Sequence, residues 1–265
     1  MALSKAVKDS KLVIMYHRSY RKLPGSTKNF IIQYILLAIP FSVIAALFYP
    51  ELTKAICSLA KEALSPYYYL DSVNLFSKPY IEQIGPVYYL DLPESFPTFW
   101  FSLVNALVAI ALLLILPNLN KFKPLLIFMT LLSIVHLISS VYFLLFPSYF
   151  PYTAGDYSQL YMIQEISIWF FLPLIMGLAV LPLPSSLFLK ILTMCSIFVY
   201  SIIFGTVRYI VFLFILSKIS MIYMAILFFA LGPLVDFIYA VGLYTLFVNK
   251  LAIKLAEDFS IWRWQ

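Results

Sequence analysis

Three ionisable residues lie in stretches that are otherwise almost wholly apolar, and they are the first candidates for chemistry. Arg208 lies within "FGTVRYIVFLFIL", Asp236 follows "GPLV", and Glu165 precedes another apolar run. Placing such a side chain inside a membrane costs about 2.5–3.5 kcal/mol, so each one is a functional-site hypothesis by default. An arginine could bind a phosphate or carboxylate, and a carboxylate could act as a base or carry a proton.

The composition indicates that lipid surrounds these residues. Of the 265 residues, 63% are hydrophobic and 11% are charged, whereas a soluble domain carries about 25% charged residues. A bilayer core needs about 20 apolar residues per helical crossing, and six runs are long enough. The sequence therefore predicts an all-α polytopic transmembrane helix bundle of about six spans. The predicted spans are Phe30–Phe48, Thr98–Leu116, Leu125–Phe146, Ile166–Leu181, Leu187–Leu216 and Ile219–Val248.

Lysine and arginine are concentrated in alternate connecting segments, which predicts that both termini are cytoplasmic. Residues 1–29 carry seven of the 18 basic residues, whereas segment 50–97 holds six acidic residues against three lysines. The net charge of +6 is explained by anchoring at a membrane surface, so no nucleic acid partner is predicted and the lipid bilayer is the expected partner. We expect a multi-pass protein of the cell membrane. Its predicted parts are a cytoplasmic segment 1–29, a transmembrane domain 30–248 with an extracytoplasmic loop 50–97, and a cytoplasmic tail 249–265.

Loop 50–97 is the largest predicted extramembrane segment and is rich in tyrosine and proline. We expect a short amphipathic helix near Leu52–Leu64, followed by an extended cover over the outer face. The tyrosines suit anchoring at the membrane interface, and they also suit a docking surface or a platform for sugars.

Helix geometry places the three ionisable residues at similar depths. Arg208 lies 18 residues from Lys190, and Asp236 lies 14 residues from Lys250, which correspond to about 27 Å and about 21 Å of helix. Glu165 is expected to open the fourth span from the outer side. We therefore predict a charge cluster in the outer leaflet, with an Arg208–Asp236 or Arg208–Glu165 pair that lowers the cost of each charge. The cluster is either a structural ion pair or a site for a substrate or proton.

The last two apolar runs are too long for untilted spans, and each contains a predicted interruption. Gly205 interrupts the fifth span and Gly232–Pro233 the sixth, each three residues before Arg208 or Asp236. Paired broken helices are typical of transporter binding sites. The chain has only seven glycines, however, and close or mobile helix contacts draw on glycine, so the composition favours a fairly rigid bundle.

The remaining candidates are one histidine and two cysteines. His136 lies in the middle of the third span, where we expect a hydrogen bond to a neighbouring helix. The positions of Cys57 and Cys195 do not favour a disulfide between them, and Cys195 reads as an inert core thiol. No CxxC pair or other metal-ligand spacing is present, so no metal site and no cofactor are predicted.

The stretch "IFGTVRYIVFLFIL" resembles the arginine-bearing span of the exosortase and archaeosortase family. The resemblance covers about residues 160–248 and implies a membrane cysteine transpeptidase with an extracytoplasmic Cys, Arg and His site. Only Arg208 has a counterpart here. The family's cysteine would fall near Glu165 and Ile166, and its histidine around Phe228 and Phe229, and this sequence has neither. Acyl transfer would then lack both nucleophile and base, so the resemblance implies a degenerate, non-catalytic relative.

Three functions remain open from the sequence. The first is a non-catalytic integral membrane subunit that scaffolds or anchors a larger envelope or membrane complex with protein partners, because no catalytic constellation is present. The second is a transporter, channel or translocation component that uses broken fifth and sixth helices around Arg208 and Asp236. The third is a membrane enzyme that acts on lipid-linked substrates, with Arg208 as the anion-binding residue and Glu165 or Asp236 as the base.

Overall fold

A computed structural model describes residues 21–22, 26–68, 72–118, 123–256 and 263–264. Much of the predicted cytoplasmic segment 1–29 and part of the tail 249–265 therefore lie outside the described residues. Six helices are long and apolar enough to cross a membrane, which confirms the polytopic helical bundle. These candidate spans are Thr27–Leu47, Phe99–Asn118, Lys123–Leu145, Ala154–Val180, Leu187–Ile219 and Met221–Ala252.

The elements follow one another in a simple order along the chain. We label the helices α1 to α7, counting α1 as the whole first span, and the strands β1 to β4. The helices are α1 (Thr27–Leu47), α2 (Tyr49–Leu64), α3 (Phe99–Ile115), α4 (Lys123–Leu145), α5 (Ala154–Val180), α6 (Leu187–Phe214) and α7 (Pro233–Ala256). The strands are β1 (Arg21–Lys22), β2 (Asn74–Ile81), β3 (Gly85–Asp91) and β4 (Arg263–Trp264).

The described segments that lie before the first span and after the last span meet each other. Strand β1 pairs with β4 in an antiparallel arrangement, as an even number of crossings requires. The opposite side carries the link between the first two spans. Helix α2 and the antiparallel hairpin β2–β3 fill most of that link, so the expected amphipathic helix and extended cover are both present.

Helix α2, the hairpin and the segment that leads into α3 form what we call the cap, residues 49–68 and 72–98. The cap packs on the ends of α5 and α6 and on the link between the last two spans. At that link, the backbone N–H of Ser95 donates to the carbonyl of Leu216 at 3.3 Å, and the N–H of Met221 donates to the carbonyl of Ser95 at 2.7 Å. The largest hydrophobic core lies at this junction and includes Tyr157 and Trp169.

Two sequence expectations about helix boundaries were wrong. Helix α5 begins at Ala154 and not at Ile166, because Thr153 and Asp156 form a capping box at its N-terminus. Glu165 consequently lies inside a helix and does not open it. Helix α6 runs without a break through Gly205 to Phe214, so Gly205 does not interrupt the fifth span.

The sixth span does break at the predicted position. A π-helical turn, Ile226–Ala230, ends at the bend formed by Leu231 and Gly232, and α7 starts at Pro233. A Cβ atom on Gly232 would lie 2.3 Å from the carbonyl oxygen of Phe228. Because that oxygen belongs to the backbone, no side-chain movement could make room for it.

The change Gly232→Ala should therefore destabilise the folded protein by about 1–3 kcal/mol, the usual cost of overpacking. Gly242→Ala on α7 is the matched control, because nothing lies within 4 Å of its Cβ position and alanine is the better helix former. Thermal unfolding in detergent should show a lower midpoint for Gly232→Ala and an unchanged or higher one for Gly242→Ala. Equal midpoints for the two variants would contradict the tight bend.

Candidate functional site

The structure brings Arg208, Glu165 and Asp236 together in the interior of the bundle. Arg208 lies on α6, Glu165 on α5 and Asp236 in the first turn of α7. The side chains are 4%, 2% and 5% exposed respectively, so water does not screen the charges. One guanidinium nitrogen, Nη2 of Arg208, donates to Oε1 of Glu165 and also to Oδ2 of Asp236, the latter at 2.8 Å.

The other guanidinium nitrogens bind acceptors that the sequence could not reveal. Nε of Arg208 donates to the hydroxyl of Tyr161 at 2.8 Å. Nη1 donates to the carbonyl oxygens of Leu231 and Gly232 at 3.2 and 3.0 Å. A guanidinium has five N–H groups, and all five are therefore hydrogen-bonded within the chain.

The two carbonyls that Arg208 binds belong to the break in the sixth span. A break leaves backbone carbonyls without their helical partners, and inside a membrane each must find a donor. Arg208 supplies donors to Leu231 and Gly232, so it fastens the bend to α6. The same bend starts α7 at Pro233 and thereby brings Asp236 within reach of Arg208.

Helix α5 contributes two side chains at helical spacing. Tyr161 and Glu165 are four residues apart, so they lie on one face of the helix. The Tyr161 hydroxyl accepts from Arg208 and donates to the carbonyl of Gly205 at 2.9 Å. The rings of Tyr161 and Phe204 lie 5.4 and 5.7 Å from Cζ of Arg208, distances at which aromatic rings attract a cation.

Gly205 makes room for the Glu165 carboxylate. A Cβ atom at this position would lie 2.7 Å from Oε2 of Glu165, closer than two such atoms can approach. The sequence predicted a helix interruption at this glycine, and that prediction was wrong. The structure shows instead that its role is close packing against a neighbouring helix.

A second polar cluster centres on Tyr209, the residue after Arg208, and joins the cap to the bundle. The hydroxyl oxygen of Tyr209 accepts from the backbone N–H of Leu90 on β3 at 3.1 Å and lies 2.6 Å from Oγ of Ser158. Sγ of Cys57 on α2 lies 3.7 Å from the same hydroxyl. These contacts span the cap, α5 and α6, and no residue spacing in the sequence indicated them.

Cys57 is the thiol nearest to this region, and its surroundings do not suit a nucleophile. Its side chain is completely buried and unbridged. Burial raises the pKa of the Cys57 thiol to about 12, an effect that the hydrogen bond to Tyr209 opposes only in part. The thiolate is the reactive form of cysteine, and it is scarce at neutral pH.

His136 lies apart from the charge cluster and contacts a neighbouring helix. Nε2 of His136 lies 3.0 Å from Oδ1 of Asn105 on α3. The same amide oxygen accepts from the hydroxyl of Tyr223 at 3.1 Å, and the Tyr223 ring stacks on the imidazole with centroids 5.2 Å apart. Because Asn105 Oδ1 can only accept, Nε2 carries the histidine proton. Cys195 is also a free thiol.

The described residues contain no group of three or more His, Cys, Asp or Glu side chains that could hold a metal ion. The surface of the bundle has two grooves. One is lined by residues of α6, including Cys195 and Tyr200. The other is lined by residues of α4, including Ile127, and by Leu116 and Pro117 just after α3. Neither groove reaches Arg208 or its partners.

The chain matches no known family model, no curated protein and no solved structure.

Removing the charge of Arg208 should strongly destabilise the protein. Arg208→Gln leaves the buried carboxyl groups of Glu165 and Asp236 without their cation, and removing one partner of a buried ion pair costs about 3–5 kcal/mol. Arg208→Lys keeps the charge but offers three donors in place of five, so its loss should be intermediate. Lys54→Gln on the exposed side of α2 is the control and should unfold like the parent. Thermal unfolding in detergent checks the order, and a parent-like midpoint for Arg208→Gln would refute the fastening role.

The Cys57 thiol should resist alkylation while the protein is folded. In a Cys195→Ala background, a maleimide reagent at neutral pH should label Cys57 slowly in the native protein and completely after denaturation. Mass spectrometry counts the adducts, and denaturation of the same sample is the internal control. Rapid native labelling would mean that the thiol is accessible, contrary to its burial.

Proposed function

We propose that this chain is a non-catalytic integral membrane subunit that scaffolds or anchors a larger membrane complex. The observation that carries the proposal is the saturation of Arg208, whose five N–H groups are all bonded to other parts of the chain. An arginine that recognises an anionic substrate keeps donors free for that substrate, commonly as a bidentate pair. Arg208 keeps none, which supports a role in holding helices together.

The chemistry around Arg208 also argues against a transpeptidase. The resemblance to exosortases implies a cysteine and a histidine beside the arginine, but the side chains that contact it belong to Tyr161, Glu165 and Asp236. Cys57 contacts Tyr209, the residue after Arg208, and is held as a buried thiol. Neither a thiolate nor an imidazole is therefore available for acyl transfer.

The transport alternative receives less support than the scaffold. It drew on two broken helices, whereas α6 is continuous and only the sixth span breaks. The carbonyls at that break are already bound by Arg208, whereas a transporter leaves such carbonyls for its ion or substrate.

The cap offers a surface that suits a protein partner, and the register of the hairpin supports this. The backbone N–H of Tyr88 on β3 donates to the hydroxyl of Thr53. The N–H of Leu90 is shared between the hydroxyls of Ser158 and Tyr209. Both N–H groups therefore point away from β2. The inner edge of the hairpin is thus occupied by α2, α5 and α6.

Strand β2 presents the opposite, outer edge. Ser77 lies opposite Tyr88 and Leu75 opposite Leu90, so the backbone groups of both β2 residues point away from β3. Neither has a partner strand in the sheet, which has two strands among the described residues. Pro79 lies in the same phase and has no N–H to offer, as is typical of an edge strand.

We infer that a partner protein adds an extended segment to this outer edge of β2. Such strand addition uses main-chain hydrogen bonds for affinity, and the outward N–H groups of Leu75 and Ser77 would supply the donors. Residues Asn74–Tyr80 are all solvent-exposed, so nothing in the described chain blocks the approach.

The change Ser77→Pro tests this surface, because it removes one outward N–H without breaking a β2–β3 hydrogen bond. Co-purification from native membranes in mild detergent, with mass spectrometry, should recover a stoichiometric partner with the parent and several-fold less with Ser77→Pro. Ser77→Thr, which keeps the N–H and favours strands, should recover the parental amount. Equal thermal midpoints for the three proteins would show that the fold is intact.

Three outcomes would count against the proposal. A parent protein that purifies as a monodisperse monomer has no stable partner to scaffold. Cross-linking that detects a second copy of this chain on β2 would show that the edge forms a homodimer and does not bind a different protein. Full recovery with Ser77→Pro would place the contact elsewhere on the molecule.

A further inference from the structure

The charge cluster contains more negative than positive groups. Glu165 and Asp236 both contact the single guanidinium of Arg208, so the ionised cluster would carry one net negative charge. No lysine or other arginine of the described residues forms an ion pair with either carboxylate. An uncompensated charge in a low-dielectric interior is costly, and a buried group commonly becomes neutral to avoid that cost.

The unused oxygen atoms point to the same imbalance. Oε2 of Glu165 and Oδ1 of Asp236 are both buried and have no hydrogen-bond partner. Both residues are more than nine-tenths buried. An ionised carboxylate has about four acceptor sites, and leaving them unfilled away from water is unfavourable. Burying a carboxylic acid costs less free energy than burying a carboxylate, because the acid is neutral.

The remaining titratable side chains around the cluster do not supply a cation. Helix α5 presents Tyr161, with Tyr157 packed against its ring at a centroid distance of 6.2 Å. Helix α6 presents Arg208 itself, and α7 presents Tyr239 beside Asp236. These three phenols are neutral in their protonated form, so the extra negative charge must be balanced by something that binds.

The two carboxylates differ in the help that each receives from its helix. Asp236 lies in the first turn of α7, where the positive end of the helix dipole favours an ionised carboxylate. Glu165 lies in the interior of the helix Ala154–Val180, beyond the reach of either helix end. The ionised partner of Arg208 is therefore Asp236, and Glu165 is the group to be neutralised.

We propose that the cluster is a binding site for one proton, held on Oε2 of Glu165 at neutral pH. The bound state consists of a guanidinium, the Asp236 carboxylate and the Glu165 carboxylic acid, with no net charge. Releasing the proton breaks the O–H bond, leaves the electron pair on Oε2 and returns a net negative charge to the interior. The site takes a proton and no other ligand, and it goes beyond the scaffolding role without depending on it.

Infrared spectroscopy of the full-length protein in lipid nanodiscs tests the proposal directly. A protonated carboxylic acid has a carbonyl stretching band well separated from carboxylate bands, and the band moves to lower wavenumber in D2O. The parent should show such a band at neutral pH, and Glu165→Gln should lack it. No variant needs to fold for the first observation, because it concerns the parent.

Glu94→Gln is the matched control for the band. Glu94 lies in the cap, where partial burial and the nearby carboxylates of Asp91 and Asp156 raise the pKa of its carboxyl. Its removal should leave the band in place. Absence of the band in the parent would mean that both cluster carboxylates are ionised, and persistence in Glu165→Gln would place the proton elsewhere. Either result overturns the proposal. If the band is absent and the stability of the parent depends on sodium or potassium ions, a metal cation and not a proton balances the charge.

Thermal stability gives an independent readout. Glu165→Gln imitates the neutral acid, so its unfolding midpoint should stay within about 4 °C of the parental value. Asp236→Asn removes the ionised partner and should fall further. Because the folded protein holds a proton that the unfolded chain has lost, parental stability should decline as pH rises through the neutral range, and Glu165→Gln should decline less. A larger loss for Glu165→Gln than for Asp236→Asn would reverse the assignment of the two carboxylates.

Discussion

The burial of one guanidinium determines how the last three spans are arranged. In a bilayer, the five N–H groups of Arg208 cannot be left to water, so each must meet an acceptor from the protein. Helix α5 provides Tyr161 and Glu165, and the bend in the sixth span provides two carbonyls and Asp236. The dependence is mutual, because the bend frees two carbonyls that need a donor inside the membrane, and Arg208 supplies it. Spans four, five and six are thereby held by one side chain.

The neighbouring residue extends this arrangement to the cap. Arg208 and Tyr209 are consecutive on α6, so their side chains diverge around the helix and reach different clusters. Tyr209 binds Leu90 of the hairpin and Ser158 of α5. Helix α6 consequently connects the charge cluster to the cap through a few hydrogen bonds. The backbone N–H groups on the inner edge of the hairpin are occupied by this connection, whereas the outer edge is exposed.

Features that depend on solvent were predictable from the sequence, and features that depend on long-range packing were not. Hydropathy predicted six spans because lipid imposes one requirement on every crossing. The start of α5 was misplaced because its first residues are too polar for lipid, yet Tyr157 and Ser158 are buried against the cap and other helices. Gly205 was misread because a glycine can serve a bend or a close contact. Every residue type has a backbone carbonyl, so the pattern of side chains could not predict that those of Leu231 and Gly232 bind Arg208.

A saturated arginine differs from a ligand-binding one in what a ligand must displace. An anion that approached Arg208 would have to replace a carbonyl at the bend, the Tyr161 hydroxyl or one of the two acidic side chains, and the displaced group would stay buried without a partner. Binding an anion here would therefore cost hydrogen bonds that join α5, α6 and the bend. A proton is the exception, because it adds to a free oxygen of Glu165 and displaces nothing. In the proposed bound state, the cluster therefore holds a proton without losing any hydrogen bond of Arg208.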